Sequence, residues 1–325
     1  MFNPEDCSLK AALNFDKKDE LAKFQEKFHF PKTQNAQKPL YFCGHSLGLM
    51  PKQTAAAIEE INEAWKTFAV DGHFHSAWPW VSSHESLSAS LSRLVVAKES
   101  EVVAMNTLTV NLHLLLVSFY KPKKNKFKIL IENNTFPSDK YAVDSHARLH
   151  GFEPKECVVE LKPREGEMIV REEDIFSQIE DLGDSLALVM LGNCNYLSGQ
   201  KFNMKAITEH AHRFEAMVGF NLAHGAGNID LKLHEWKVDF ATWCTYKYIN
   251  SGPGGMAGIF IHEKHHLDKS LNRFEGWWGH NKKERFKMAP VFDPIPTAEA
   301  WQLYQVLRKK EIISLATWNF YLRQN

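Results

Sequence analysis

Across the middle of the chain, short apolar runs alternate with longer segments in which hydrophobic residues recur every three or four positions. The runs at 127–132, 157–161, 186–191, 217–221 and 256–261 are bounded by glycine, asparagine or charged residues and predict buried strands. A further run ends at Met105, where Asn106 and Thr107 interrupt it before a leucine-rich helical pattern. Helical spacing also marks 82–96, 172–182, 204–214 and the stretch with Ala55, Ala56, Ile58, Ile61 and Trp65. Strand and helix in alternation predict βα units, and hence an α/β fold in three layers around a mostly parallel sheet. The lysine-rich start, within 1–38, and the end, 304–325, read as helices outside that pattern.

The chain is organised around 239–255, which opens as a β-favouring run and closes in Ser251-Gly252-Pro253-Gly254-Gly255, with Lys247 between. A lysine at that point either ends a strand in solvent or stands in a pocket. An ammonium withdrawn from water gives up its proton more readily, and the free amine can condense with an aldehyde. Upstream, 217–230 repeats the design, an apolar run breaking into Asn221, His224 and small residues. Ligands of open α/β sheets bind where strands end. Asn221, His224, Tyr246 and Lys247 on neighbouring strand ends suit an aromatic aldehyde cofactor.

Other breaks are less specific. The start of the helix after Thr107 offers free backbone N–H groups and the Thr109 hydroxyl, which either seat a phosphate or merely cap the helix. Asp139 follows another strand, and Phe136 is placed to cover a ring face. Residues 41–51 read as an ordered loop. The segment 71–80, with His73, His75 and three aromatics, is expected to be irregular, and either lines a pocket for a flat molecule or plugs the core.

Composition changes this picture little. The 325 residues are 44% hydrophobic and 24% charged, with 39 basic and 39 acidic side chains, so no nucleic-acid or membrane partner is implied. Five cysteines without close pairing argue against a metal site or a disulfide framework and for the cytoplasm. No apolar run approaches membrane-spanning length, and the acidic start is not a signal peptide.

Taken together, Gly-His-Ser-Leu-Gly-Leu (44–49), Met-Asn-Thr-Leu-Thr-Val-Asn-Leu-His (105–113), Phe-Pro-Ser-Asp (136–139), Leu-Ala-His (222–224), the Lys247 stretch and Gly-Trp-Trp-Gly-His (276–280) resemble kynureninase. That family belongs to the fold-type I enzymes of pyridoxal 5'-phosphate, in the class V aminotransferase superfamily. The resemblance spans about 41–303 and implies hydrolysis of the Cβ–Cγ bond of L-kynurenine, or its 3-hydroxy form. Products would be anthranilate, or its 3-hydroxy form, and L-alanine, within tryptophan catabolism. It implies that Lys247 holds the cofactor as a Schiff base and moves the Cα proton. Leu108, Thr109, Tyr246 and Trp277 would serve the phosphate end, Phe136 the ring face, and Asp139 and His224 its orientation. Ser46 and His73 would face the substrate. A homodimer with sites built across the interface is implied as well. Gly-Trp-Trp-Gly-His and the His73 loop speak against an aminotransferase or desulfurase.

Three departures stand out. Asn221 holds the position of the family's carboxylate toward the cofactor nitrogen, and a neutral amide would weaken the electron sink. Gln305 replaces an asparagine expected to touch cofactor and substrate. The chain stops at Asn325, so the family's small C-terminal domain, with its carboxylate-gripping arginine, is expected to be largely absent. The expected organisation is therefore an N-terminal segment and loop (1–50), a cofactor-binding large domain (51–303) and a divergent tail (304–325). A weakly active or non-catalytic cofactor-binding remnant is the alternative to a working hydrolase.

Overall fold

A computed structural model describes residues 6–32, 35 and 39–304. Gln305 and the rest of the predicted tail beyond Tyr304 lie outside the described residues. In chain order the elements are α1 (Leu9–Lys18), β1 (Phe28–His29), β2 (Met50–Pro51), α2 (Thr54–Phe68), α3 (Gly72–His75), α4 (Glu85–Val95), β3 (Val102–Met105), α5 (Leu108–Phe119) and β4 (Lys128–Glu132). There follow α6 (Pro137–Leu149), α7 (Pro154–Cys157), β5 (Val158–Leu161), α8 (Glu172–Leu182), β6 (Leu186–Gly192), α9 (Met204–His212), β7 (Met217–Asn221), β8 (Phe240–Cys244) and β9 (Ala257–Ile261).

Seven strands form one sheet in the order β3-β9-β8-β7-β6-β4-β5. The neighbours from β8 through β5 are parallel, and β9 runs antiparallel to both of its partners. The central strands are buried on both faces, which is why they read as continuous apolar runs rather than alternating ones. One face packs Leu130, Val189, Val218 and Phe220 against α4, α8 and α9 through Leu91, Ile179 and Ile207. The other packs Ile129, Ile131, Leu188 and Met190 against α5 and α6 through Leu115, Phe119 and Val143. Each large side chain fully buried this way contributes about 1.5–3 kcal/mol. The result is the expected three-layer α/β arrangement.

One local expectation is corrected, and one helix forms that the sequence pattern did not predict. Residues 71–80 are not wholly irregular, because 72–75 close one helical turn, with Gly72 lying against the Trp80 ring where a Cβ would come within 2.7 Å. Helix α6 carries no strong apolar stripe in the sequence, yet it forms, started by Pro137 at its first turn and buried through Asp139, Ala142, Val143, His146 and Ala147.

The chain passes from β4 out to β5 and then returns to place β6 on the opposite side of β4. Such a reversal opens a crevice at the carboxyl ends of the strands.

Candidate active site

The crevice is a cleft whose empty space, open to solvent, is about 630 Å³, walled by the ends of β4, β6 and β7, the loop after β8, and the first turns of α5 and α6. It gathers Leu108, Thr109, Phe136, Asp139, Asn221, His224, Tyr246 and Lys247, residues that span 140 positions of sequence.

Lys247 stands three residues past β8 and is half-buried. Its Nζ lies 3.1 Å from His224 Nε2. Burial and the Lys247 charge hold His224 down to about 4, so its imidazole is neutral near pH 7 and accepts from the Lys247 ammonium. Beside it, burial pushes the Tyr246 phenol up to about 12, which keeps it a hydrogen-bond donor. The loop that carries Ser46 docks on this lysine loop. Gly48 N–H donates to the Tyr246 carbonyl at 2.8 Å, and a Cβ on Gly48 would come within 2.2 Å of the Lys247 carbonyl. Ser46 follows the short turn at Cys43–His45, next to the cleft rather than in its wall.

At the α5 end, Asn106 turns the chain with φ of +44°, a conformation asparagine tolerates. Its side-chain amide donates to Asn111, which in turn donates to the Met105 carbonyl. Thr107 occupies the N-cap but its hydroxyl makes no capping bond, so the first N–H groups of a 12-residue helix stay available to an anion. The cap alternative raised by the sequence is not the one adopted by Thr107.

On the α6 side, Phe136 is half-exposed with Tyr196 edge-on to it, centroids 5.5 Å apart. Asp139, in the first turn of α6, is buried, and burial raises its carboxyl to about 6. Asn221 Nδ2 donates to Asp139 Oδ2 at 2.6 Å.

Several contributors were not foreseen. Glu132, at the end of β4, is 4% exposed and lines the cleft. Burial pushes its carboxyl up to about 7 against hydrogen bonds from Asn195 and the Gly192 backbone, and the Asp139 charge adds to the rise. Tyr196 and Cys194, from the turn after β6, complete the wall. A glutamate closing an apolar run was the available signal for Glu132.

His73 and Trp277 are not brought to the cleft within one chain. His73 sits edge-on to Trp80, centroids 5.3 Å apart, while its neighbour Phe74 meets Phe286, which packs on Trp277. Trp277 donates its indole N–H to the Arg285 carbonyl and borders a separate groove.

Among the described residues, no helix is long and apolar enough to cross a membrane. The aminotransferase class-V family profile matches residues 41–279. A kynureninase of Flavobacterium psychrophilum is 51% identical over 309 residues, covering 95% of this chain and 72% of that protein. One from Myxococcus xanthus is 52% identical over 90% of this chain and 68% of its own length. Among solved structures, an apo cysteine desulfurase of Thermococcus onnurineus superposes with a TM-score of 0.70 at 17% identity, covering 88% of this chain and 67% of that one. A cysteine desulfurase of Escherichia coli gives 0.71 at 16%, over 94% and 72%. At such identities the likeness concerns the fold.

Proposed function

This chain belongs to the kynureninase family of class-V aminotransferase proteins, and from that premise we infer which of its residues carry the reaction. The reaction is hydrolysis of the Cβ–Cγ bond of L-kynurenine, or its 3-hydroxy form, to anthranilate, or its 3-hydroxy form, and L-alanine, with pyridoxal 5'-phosphate as cofactor. When bound, the cofactor supplies an aldehyde for amines and a cationic ring that withdraws electrons from the substrate Cα.

The residues in the cleft fit that group. The Lys247 amine would hold the cofactor through its aldehyde and would serve as the base that moves the proton at the substrate Cα. Neutral His224, 3.1 Å away, accepts from Lys247 Nζ and fixes its direction. The uncapped α5 terminus, with Leu108, Thr109 and the Tyr246 phenol, would receive the phosphate. Phe136, with its half-exposed ring, would cover one face of the pyridine, and Asp139 and Asn221 would help to orient the ring. Ser46, whose loop docks on the Lys247 loop through Gly48, would serve the substrate side.

The observation that carries this reading is the Lys247–His224 contact at the strand-end cleft. Borohydride reduction of the cofactor-loaded chain followed by peptide mass spectrometry is expected to find the pyridoxyl group on Lys247. An adduct elsewhere, or none, sinks the assignment. Turnover is followed by the fluorescence of anthranilate released from kynurenine.

A homodimer is part of the proposal. His73 and Trp277 do not line the cleft of their own chain, which is the arrangement expected if each serves its twofold partner. Sedimentation tests the dimer. Mixing an inactive Lys247→Ala chain with an inactive Trp277→Ala chain tests shared sites, since activity returns only if residues cross the interface. The cytoplasm is the proposed compartment, in keeping with the five free cysteines. We place the cofactor-binding large domain at 51–303, after the N-terminal segment of 1–50.

A further inference from the structure

We infer that Asp139, and not the strand-end residue Asn221, supplies the negative charge that faces the cofactor's ring nitrogen, with Asn221 acting as its positioning residue. This rests on the pyridoxal phosphate reading above.

The geometry around Asn221 leaves its amide one orientation. Its Oδ1 accepts the Ala223 N–H at 2.9 Å, and its Nδ2 donates to Asp139 Oδ2 at 2.6 Å. An amide has one accepting and one donating end, and here each meets its complement. Asn221 is 8% exposed, so both bonds are shielded from water. A carboxylate at 221 could accept from Ala223 as well, but its second oxygen would then face Asp139 Oδ2 across hydrogen-bond distance. Two carboxylates that close cannot both ionise.

The charge therefore belongs to the residue that the surroundings keep anionic. Asp139 is 6% exposed, and its Oδ1 has no hydrogen-bond partner among the described residues. A buried carboxylate oxygen left unpaired in a ligand cleft is costly unless the ligand pairs it. Burial raises the Asp139 carboxyl to about 6, and three features work against that rise to favour the ionised form: the Asn221 N–H, the attraction of Lys247, and its place in the first turn of the 13-residue α6, at the positive end of the helix dipole. Glu132, the other carboxyl in the cleft, accepts from Asn195 and the Gly192 backbone, yet burial outweighs them and pushes it up to about 7. The Asp139 charge opposes its ionisation further. It is the more readily protonated member of the pair.

The test compares two cofactors on one apoprotein: pyridoxal 5'-phosphate, and its analogue in which CH replaces the ring nitrogen. Asp139→Asn should weaken the natural cofactor by ~10- to 100-fold while changing the analogue by less than ~3-fold, since only the nitrogen is charge-paired. Asn221→Ala, which frees the carboxylate without removing it, should give a smaller loss, ~3- to 10-fold, again confined to the natural cofactor. Asn221→Asp should bring no gain in affinity. Equal losses for both cofactors in Asp139→Asn and Asn221→Ala would mean a merely structural role and overturn the assignment. So would tighter cofactor binding by Asn221→Asp. If Asp139→Asn does not fold, the Asn221→Ala comparison decides alone. Failure of the parent chain to retain either cofactor would instead overturn the cofactor reading beneath it, so the two failures look different.

Discussion

Replacing Glu132 by glutamine should stabilise the cofactor-free chain at alkaline pH, although it removes a polar partner from the cleft. Burial raises this carboxyl from 4.5 to about 7, so the folded state holds the proton more tightly than the unfolded chain does. The folded state then binds more protons across that interval, and stability falls as pH rises through it. Below about 4.5 both states are protonated and nothing is lost; above about 7 the full cost is present. At about 1.4 kcal/mol per pH unit the limit is about 3 kcal/mol, and about 2 kcal/mol is expected once Asp139 adjusts to the missing charge. Glutamine is neutral throughout and keeps an oxygen for the Gly192 N–H. Urea unfolding of cofactor-free protein should therefore show Glu132→Gln ahead of the parent by about 2 kcal/mol at pH 8 and by less than about 1 kcal/mol at pH 5. If the variant is no better at pH 8 than at pH 5, the carboxyl ionises as readily in the fold as in the unfolded chain, and the account of a Glu132 held protonated by burial and the Asp139 charge fails.

Other expectations are open to simpler checks. Lys247→Ala should abolish the pyridoxyl adduct and lower turnover by at least about 10³-fold, as read by anthranilate fluorescence, because both the anchoring amine and the Cα base are lost. Gly48→Ala should loosen cofactor binding and cost about 1–3 kcal/mol in thermal unfolding, since the new methyl meets the Lys247 carbonyl and the Asn250 side chain. Asp239→Asn should destabilise by about 3 kcal/mol, because Asp239 anchors His212, His265 and Lys264 from a buried position. Those partners hold the Asp239 carboxyl far below its usual range, so its contribution is full above about pH 4 and fades as acid is added. Circular dichroism during acid titration should show the parent losing this margin below pH 4 while Asp239→Asn has none to lose.

The strands and most helices were legible because a doubly covered sheet demands unbroken apolar runs, and 127–132, 186–191 and 217–221 supply them. Helix α6 was not, because Pro-Ser-Asp-Lys-Tyr opens it with polar residues and only a few small apolar side chains anchor it. The Lys247 and His224 strand ends could be read from local breaks in pattern. The bond between Asn221 and Asp139 could not, since it joins residues 82 positions apart through folding of the sheet. Glu132 was hidden for a related reason: a terminal glutamate looks like the polar end of a strand until the turn after β6 closes over it. His73 and Trp277 show the limit of motif resemblance, which carries over a role without saying which copy of the chain a side chain serves.

Strand β3 has β9 as its ladder partner, and about 150 residues separate them. During synthesis at roughly 5–20 residues per second, Val102 to Met105 leave the ribosome on the order of ten seconds before the strand that will cover their edge exists. For that interval a wholly apolar ribbon presents unpaired amides to its surroundings, an invitation to sticking with other nascent chains. Yield in the cell should therefore depend on translation speed and chaperone supply more than on the stability of the finished molecule.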